Sequence, residues 1–281
     1  MIPRLLSLLT AFCLLAAPCF AADNQTGDYR SKLLKKDTLV IGVSPDYPPY
    51  ESITDGKLVG FEIELMEAIG QAMGLKIEWS RMSFDNILVA VPAGQVDIGV
   101  SGFTFSEERT KSLLFNKVPH LKSAQVAFVR ADSDIKSVKD FAGRHFYAGL
   151  GTTGEAALKE VGGMEITTSM DYQIAFEMLG RGQLDGVTCD VAVGENYIKT
   201  MNLRAIDPPL VEEENFIITR HGNENLTNAF DAALTDFMKT AAYAALRLKF
   251  NLELKARPAG GRRPRFPETP AYEYAGIRAD A

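Results

Sequence analysis

Leu39-Val40-Ile41-Gly42-Val43 is a continuous apolar run, rich in β-branched residues, that ends at a loop stiffened by Pro45, Pro48 and Pro49. A strand with no polar face has to be covered on both sides, as in a parallel sheet flanked by helices. The residues that follow supply the covers. Asp55-Gly56 marks a turn. Phe61 to Met73 places Leu65, Ala68, Ile69 and Ala72 on one face of a helix that Gly74 ends. Leu75 to Trp79 reads as the next strand, Phe84 to Ala93 as a second helix, and Gly94 leads into a short buried strand at 96–100. The order is β-α-β-α-β, with connections that suit only a compact doubly wound unit.

The pattern then restarts. Gln125 to Val129 is a strand, Ser137 caps a short helix at 138–141, and His145 to Leu150 is a strand. Gly151-Thr152-Thr153-Gly154 opens a helix running to Glu160. Asp171 to Leu179 is another helix, and Leu184 to Thr188 a strand that ends in Cys189-Asp190. Gly94-Gln95-Val96-Asp97 and Gly182-Gln183-Leu184-Asp185 echo each other, each between a helix and a strand, which suggests two α/β lobes of similar build. A strand at 215–219 and helices at 226–237 and 240–250 follow. From residue 256 the chain turns Arg-, Pro- and Gly-rich and reads as a flexible tail.

Residues 1–21 read as a secretory signal peptide. Arg4 precedes an almost wholly apolar stretch from Leu5 to Ala17, and small residues surround Cys19-Phe20-Ala21, with cleavage expected after Ala21. The competing membrane anchor would need a longer apolar core. The formal charge is −6, and −7 once Arg4 is removed, a balance that disfavours nucleic acid as a partner. Of three cysteines only Cys189 lies beyond the signal region, so no disulfide within the mature chain is expected, and a buried inert thiol is the expectation for Cys189. His120, His145 and His221 show no metal-ligand spacing, and no metal is expected.

Candidate chemistry collects at the strand ends, where α/β proteins bind ligands. After the first strand, the proline loop presents Tyr47 and Tyr50, either to a ligand or merely over the core. The stretch from Val96 to Arg109 reads as strand, a turn at Ser101-Gly102, then a helix start capped by Ser106. Ser101 and Thr104 offer hydroxyls there. Arg109 is placed to aim its guanidinium at the same point, forming a fork for a carboxylate. Pairing of Arg109 with a surface Glu is the equal alternative. The helix start at Gly151–Gly154 is an anion site, and Asp190 can accept an ammonium or cap the segment after it. A cation, a helix N-terminus and one carboxylate suit the zwitterion of a free α-amino acid.

These residues also carry a family resemblance. Asp46-Tyr47-Pro48-Pro49-Tyr50-Glu51, Leu58-Val59-Gly60-Phe61-Glu62-Ile63-Glu64-Leu65, Gln95-Val96-Asp97, Thr104 to Arg109, Gly151-Thr152-Thr153 and Leu184-Asp185 to Asp190 stand in the order and spacing of family 3 periplasmic solute-binding proteins. From about Leu39 to Phe250 the chain resembles the amino-acid receptor of an ABC importer. The resemblance implies two Rossmann-like lobes joined by crossover strands near Gln125 and Phe216, closing over ligand like a flytrap. The implied division is a signal peptide at 1–21, a first lobe at 38–124, a second at 125–215, a return to the first at 216–253, and a tail at 254–281. It implies a periplasmic monomer with no cofactor that delivers its ligand to the permease subunits of an ABC transporter.

Carried over by position, Arg109 forks the α-carboxylate with the backbone N–H groups of Thr104 and Thr153. Asp190, the Thr104 hydroxyl and the Gly102 carbonyl hold the ammonium, and Tyr47 and Phe84 sandwich the side chain. Ser44 stands where receptors for cationic amino acids place an Asp, which argues against lysine, arginine or ornithine. Gly149 and Gly154 stand where some relatives carry larger side chains. The room they leave suggests a polar uncharged or aromatic ligand side chain. The helix turn at Thr240-Ala241-Ala242-Tyr243 lacks the family's usual Gly. Two competing functions share the scaffold. A cyclohexadienyl-dehydratase-like enzyme would need a general acid, for which Glu155 and the histidines are the loose candidates. A ligand sensor would need a separate membrane partner.

Overall fold

A computed structural model describes residues 28–252. The expected signal peptide and tail lie outside them. Thr38–Val43 forms β1, buried on both faces from Leu39 onward. Ser52–Thr54 (β2) and Lys57–Val59 (β3) form a hairpin about Asp55-Gly56, where both residues adopt the positive φ that such a two-residue turn requires. Phe61–Ala72 (α1) buries Phe61, Ile63, Leu65, Met66 and Ile69. Lys76–Arg81 (β4), Phe84–Ala90 (α2), Ile98–Thr104 (β5) and the single turn Glu107–Thr110 (α3) complete the first run. Leu113–Phe115 (β6) leads to the ten-residue strand Leu121–Arg130 (β7).

The second run is His145–Gly149 (β8), Thr153–Val161 (α4), Glu165–Ser169 (β9), Tyr172–Gly180 (α5), Gly186–Asp190 (β10) and Val191–Ile198 (α6). Leu203–Ala205 (β11) precedes the second ten-residue strand, Val211–Arg220 (β12), and the chain closes on Glu224–Met238 (α7) and Ala241–Lys249 (α8).

The main sheet runs β4-β1-β5-β12-β7-β10-β8-β9. At one end β1 pairs in parallel with β4 and β5; at the other β8 pairs in parallel with β9 and β10. In chain order each trio reads second, first, third, so the two lobes share one topology. The long strands β7 and β12 pair antiparallel, Val211 opposite Gln125, and carry the chain between the lobes. The carboxyl ends of both parallel trios meet beside this crossover, where the reversal of strand order opens a crevice.

The Gly-Gln-x-Asp echo has a structural reason. Gly94 and Gly182 take φ of +70° and +75° in the turns that enter β5 and β10. The Asp97 carboxylate then accepts the Val40 N–H (2.9 Å) of β1, and the Asp185 carboxylate accepts the His145 N–H (2.9 Å) of β8. Each Asp clasps its strand to the neighbour.

One local expectation is corrected. Ser101-Gly102 is not a turn: β5 runs through it to Thr104, with Gly102 at φ +59° and a slip in pairing with β12 between Phe216 and Ile218. Six elements also went unforeseen, namely β2 and β3 on either side of the expected turn, and β6, β9, β11 and α6. The β9 strand alternates exposed and half-buried residues at the sheet edge, and α6 follows β10 without a breaker between them.

Candidate functional site

All eight sequence candidates, Tyr47, Phe84, Ser101, Gly102, Thr104, Arg109, Thr153 and Asp190, line one cavity of about 30 Å³ between the two trios. Each comes from the carboxyl end of a strand or from the loop or first helical turn beyond it.

Arg109 is aimed by the short helix α3. The Ser106 hydroxyl accepts the Arg109 N–H (3.2 Å) and starts the turn. The guanidinium folds back, with Nη1 donating to the Thr104 carbonyl (2.6 Å) and Nη2 crossing to the Gly151 carbonyl (2.9 Å). It lies over the faces of Phe84 (5.4 Å) and Phe103 (5.9 Å), which stack on each other. The surface-pairing alternative does not describe it, because Glu108 pairs with Lys111 instead. Desolvation lowers the Arg109 pKa to about 10, against the pull of Glu213, and it stays charged at neutral pH.

Asp190 sits at the start of α6 but makes no capping bond. Its carboxylate accepts Tyr47 Oη (2.7 Å), Gln125 Nε2 (3.0 Å) and the Ser123 hydroxyl. The Asp190 N–H also donates to Tyr47 Oη (2.9 Å), so Tyr47 bridges the cleft at this point. The Tyr47 ring packs between Tyr50 (5.8 Å) and Tyr172 (5.0 Å). The Gly102 corner is held from beneath: both Glu62 carboxylate oxygens accept its N–H (3.1 and 3.0 Å), and Oε1 also meets His120 Nε2 (2.6 Å). Thr152 caps α4 by accepting the Glu155 N–H (3.2 Å), which sets Thr153 at the cavity edge.

Sequence reasoning left out Glu51, Gln125, Thr152, Met170 and Tyr172, which also line the cavity, and named Ser44 only by comparison. A glutamine or glutamate at an inward position of a buried strand is the available signal. Gln125 and Glu213, the middle of Glu212-Glu213-Glu214, are such positions. Gln125 Nε2 donates to Glu213 (3.1 Å) as well as Asp190. Thr104 Oγ1 and Gln125 Oε1 are buried without a hydrogen bond, as are both Glu51 oxygens. Such orphaned groups at a cleft are what an incoming polar ligand satisfies.

The room expected above Gly149 and Gly154 is already filled. A Cβ on Gly149 would stand 2.3 Å from Tyr172 Oη, and one on Gly154 2.6 Å from Gln125 Oε1. The glycines admit this chain's own side chains, not a ligand's. Gly149→Ala is therefore expected to destabilise the fold by about 1–3 kcal/mol, read as a lower chemical-denaturation midpoint with unchanged slope.

None of the loose enzyme candidates is among the residues lining the cavity. His145 meets the Thr167 hydroxyl, His221 the Thr110 carbonyl, and His120 is buried against Glu62. Glu155 accepts the Gly151 N–H and pairs with Lys159.

Burial raises Asp190 to about 6, and burial with the Asp190 charge raises Glu213 to about 7. A carboxyl whose folded pKa lies above its unfolded value binds its proton more tightly when folded, so stability falls as pH rises between the two values. The ligand-free protein is expected to melt about 5 °C higher at pH 5 than at pH 8. Glu213→Gln should narrow that gap. A melting temperature that rises over this range would contradict the burial of the pair.

A two-lobed α/β scaffold with a cation and a carboxylate facing one closed cleft defines a small-solute receptor. Comparison places it further. The model of the bacterial extracellular solute-binding proteins, family 3, matches residues 39–253, and the chain belongs to that family. It is 27% identical over 226 residues to the L-cystine-binding protein TcyJ of Escherichia coli (strain K12), covering 78% of this chain and 85% of that one. It is 28% identical over 251 residues to the arginine-binding extracellular protein ArtP of Bacillus subtilis, covering 87% and 96%. Among solved structures, an ancestral arginine-binding protein bound to arginine superposes with a TM-score of 0.72 at 31% identity, covering 76% of this chain and 98% of that one.

Proposed function

We propose that this protein is the periplasmic amino-acid receptor of an ABC importer. It would be exported by its first 21 residues, act as a monomer, and hand its ligand to the permease subunits. The observation that carries the reading is the placement of Arg109 and Asp190, one from each lobe, on a single cavity with neutral donors between them. Arg109 forks the α-carboxylate, assisted by the N–H groups of Thr104 and Thr153. Asp190 takes the ammonium, displacing Tyr47, with the Thr104 hydroxyl and Gly102 carbonyl. Tyr47 and Phe84 cover the side chain.

The relatives named for cystine and arginine support a free amino acid as the ligand class. The lobes take residues 38–124 with 216–253, and 125–215. A cavity of about 30 Å³ has room for a water molecule or two, so an amino acid enters only when the lobes part, and β7 and β12 are the hinge. The receptor acts without catalysis, in keeping with a cavity lining that includes neither Glu155 nor any of the three histidines.

The test is thermal unfolding against the common amino acids and several ring acids, with each mixture re-analysed for product. A ligand at about 1,000 times its Kd stabilises by about 4 kcal/mol, a rise of roughly 10 °C. Such a rise with an amino acid recovered unchanged is the expected result. Conversion of a ring acid would make the protein an enzyme.

A further inference from the structure

We infer that Glu155 is a positioning residue for the ligand's carboxylate. It fixes the Gly151 peptide, so that one short loop meets Arg109 across the cleft and presents the Thr153 N–H beside it. The inference rests on the receptor reading and deepens it.

Thr152-Thr153-Gly154-Glu155 has the sequence of a capping box. In that motif the first side chain accepts the N–H of the fourth residue, and the fourth side chain reaches back to the N–H of the first. Half of the pattern is kept, since Thr152 accepts the Glu155 N–H (3.2 Å). The other half is displaced. The Thr152 N–H and hydroxyl both donate to the Gly149 carbonyl (3.3 and 2.7 Å). Glu155 reaches one residue further and accepts the Gly151 N–H at 2.7 Å. Capping the helix does not by itself call for that longer reach.

The place of Gly151 in the site supplies the reason. Its carbonyl accepts Arg109 Nη2 (2.9 Å) from the opposite lobe, and Thr153, two residues on, lines the cavity with Arg109. Gly151 takes φ +73°, and a glycine adopts positive and negative φ about equally, so its backbone does not choose this arrangement unaided. Two bonds hold it, Glu155 on the N–H and Arg109 on the carbonyl. Glu155 belongs to the same lobe, so its bond keeps the loop in shape when the lobes part and the Arg109 bond breaks. Glu155 is 7% exposed and is not among the cavity-lining residues, so it acts through the loop rather than on the ligand. Its charge is balanced by the exposed Lys159 (2.6 Å) one turn along α4, which offsets repulsion of an anion at the helix start. Without the Glu155 bond the loop samples other arrangements. A competent loop populated about one time in ten lowers apparent affinity about tenfold.

The test is calorimetric titration into the wild-type protein, Glu155→Ala and Glu155→Gln. The probes are the common L-amino acid that binds wild type most tightly, its methyl ester and its desamino analogue. Glu155→Ala should lose about tenfold toward the amino acid and toward the desamino acid, which both carry the carboxylate, and less than about threefold toward the ester. Glu155→Gln keeps an oxygen for the Gly151 N–H and should recover most of the loss. Glu155→Asp is one methylene short of that N–H and should repeat the alanine pattern, which keeps the test open where Glu155→Ala does not fold. Equal losses for acid and ester, or a lowered melting temperature with unchanged affinities, would make Glu155 a helix cap only and overturn the proposal while the receptor reading stands. Binding of no amino acid by the wild type would overturn both.

Discussion

Arg109→Ala is expected to weaken amino-acid binding by at least about a hundredfold while leaving the fold intact. The guanidinium is held by two carbonyls and lies over two aromatic faces, so its geometry is set before a carboxylate arrives. Truncation removes the fork and leaves the ligand's carboxylate desolvated without a cation, which costs about 2–5 kcal/mol for a buried charge pair. Folding should suffer less, because no carboxylate is in direct contact with Arg109 among the salt bridges of the described residues and Glu213 feels its charge only as the smallest of several influences. Arg109→Lys should recover only part of the loss, since an ammonium cannot make two parallel bonds. Titration calorimetry measures both variants, and wild-type affinity in Arg109→Ala would remove Arg109 from the site.

The second large effect is expected at Asp190. Asp190→Asn should weaken α-amino acids by about 10²-fold and their α-hydroxy analogues by less than about fivefold. The discrimination arises because only the ammonium needs the charge, while the shape is kept and one of the two accepting oxygens remains. Stability of the ligand-free protein should hold or rise at pH 8, because the substitution deletes a buried carboxylate whose pKa lies near 6. Binding and folding therefore separate in this variant. Equal losses for amino and hydroxy acids would make Asp190 a structural residue.

Most of the parallel core was legible, because β1, β5 and β10 open on short apolar runs, are buried on both faces, and are bounded by Gly, Pro or Asp. The Gly-Gln-x-Asp echo pointed to lobes of similar build, and its carboxylates prove to tie matched strands together. Edge strands such as β9 were not legible, since half-exposed residues carry little period. The cavity residues found were those with strong local signals: a proline loop, a capped turn, a Thr-rich helix start. Gln125 and Glu51 were missed because their significance lies in which side chains they face. Gly149 and Gly154 were misread for the same reason, as no sequence signal shows that Tyr172 and Gln125 occupy the space above them.

The central claim is that one cleft reads both ends of an amino-acid head group. Titration of the wild-type protein with the amino acid giving the largest thermal shift, then with its methyl ester and its desamino analogue, tests that claim most directly. Losses of about a hundredfold or more for both analogues are predicted, one through Arg109 and the other through Asp190. Retention of full affinity by either analogue would contradict the assignment of the charged residue facing that end.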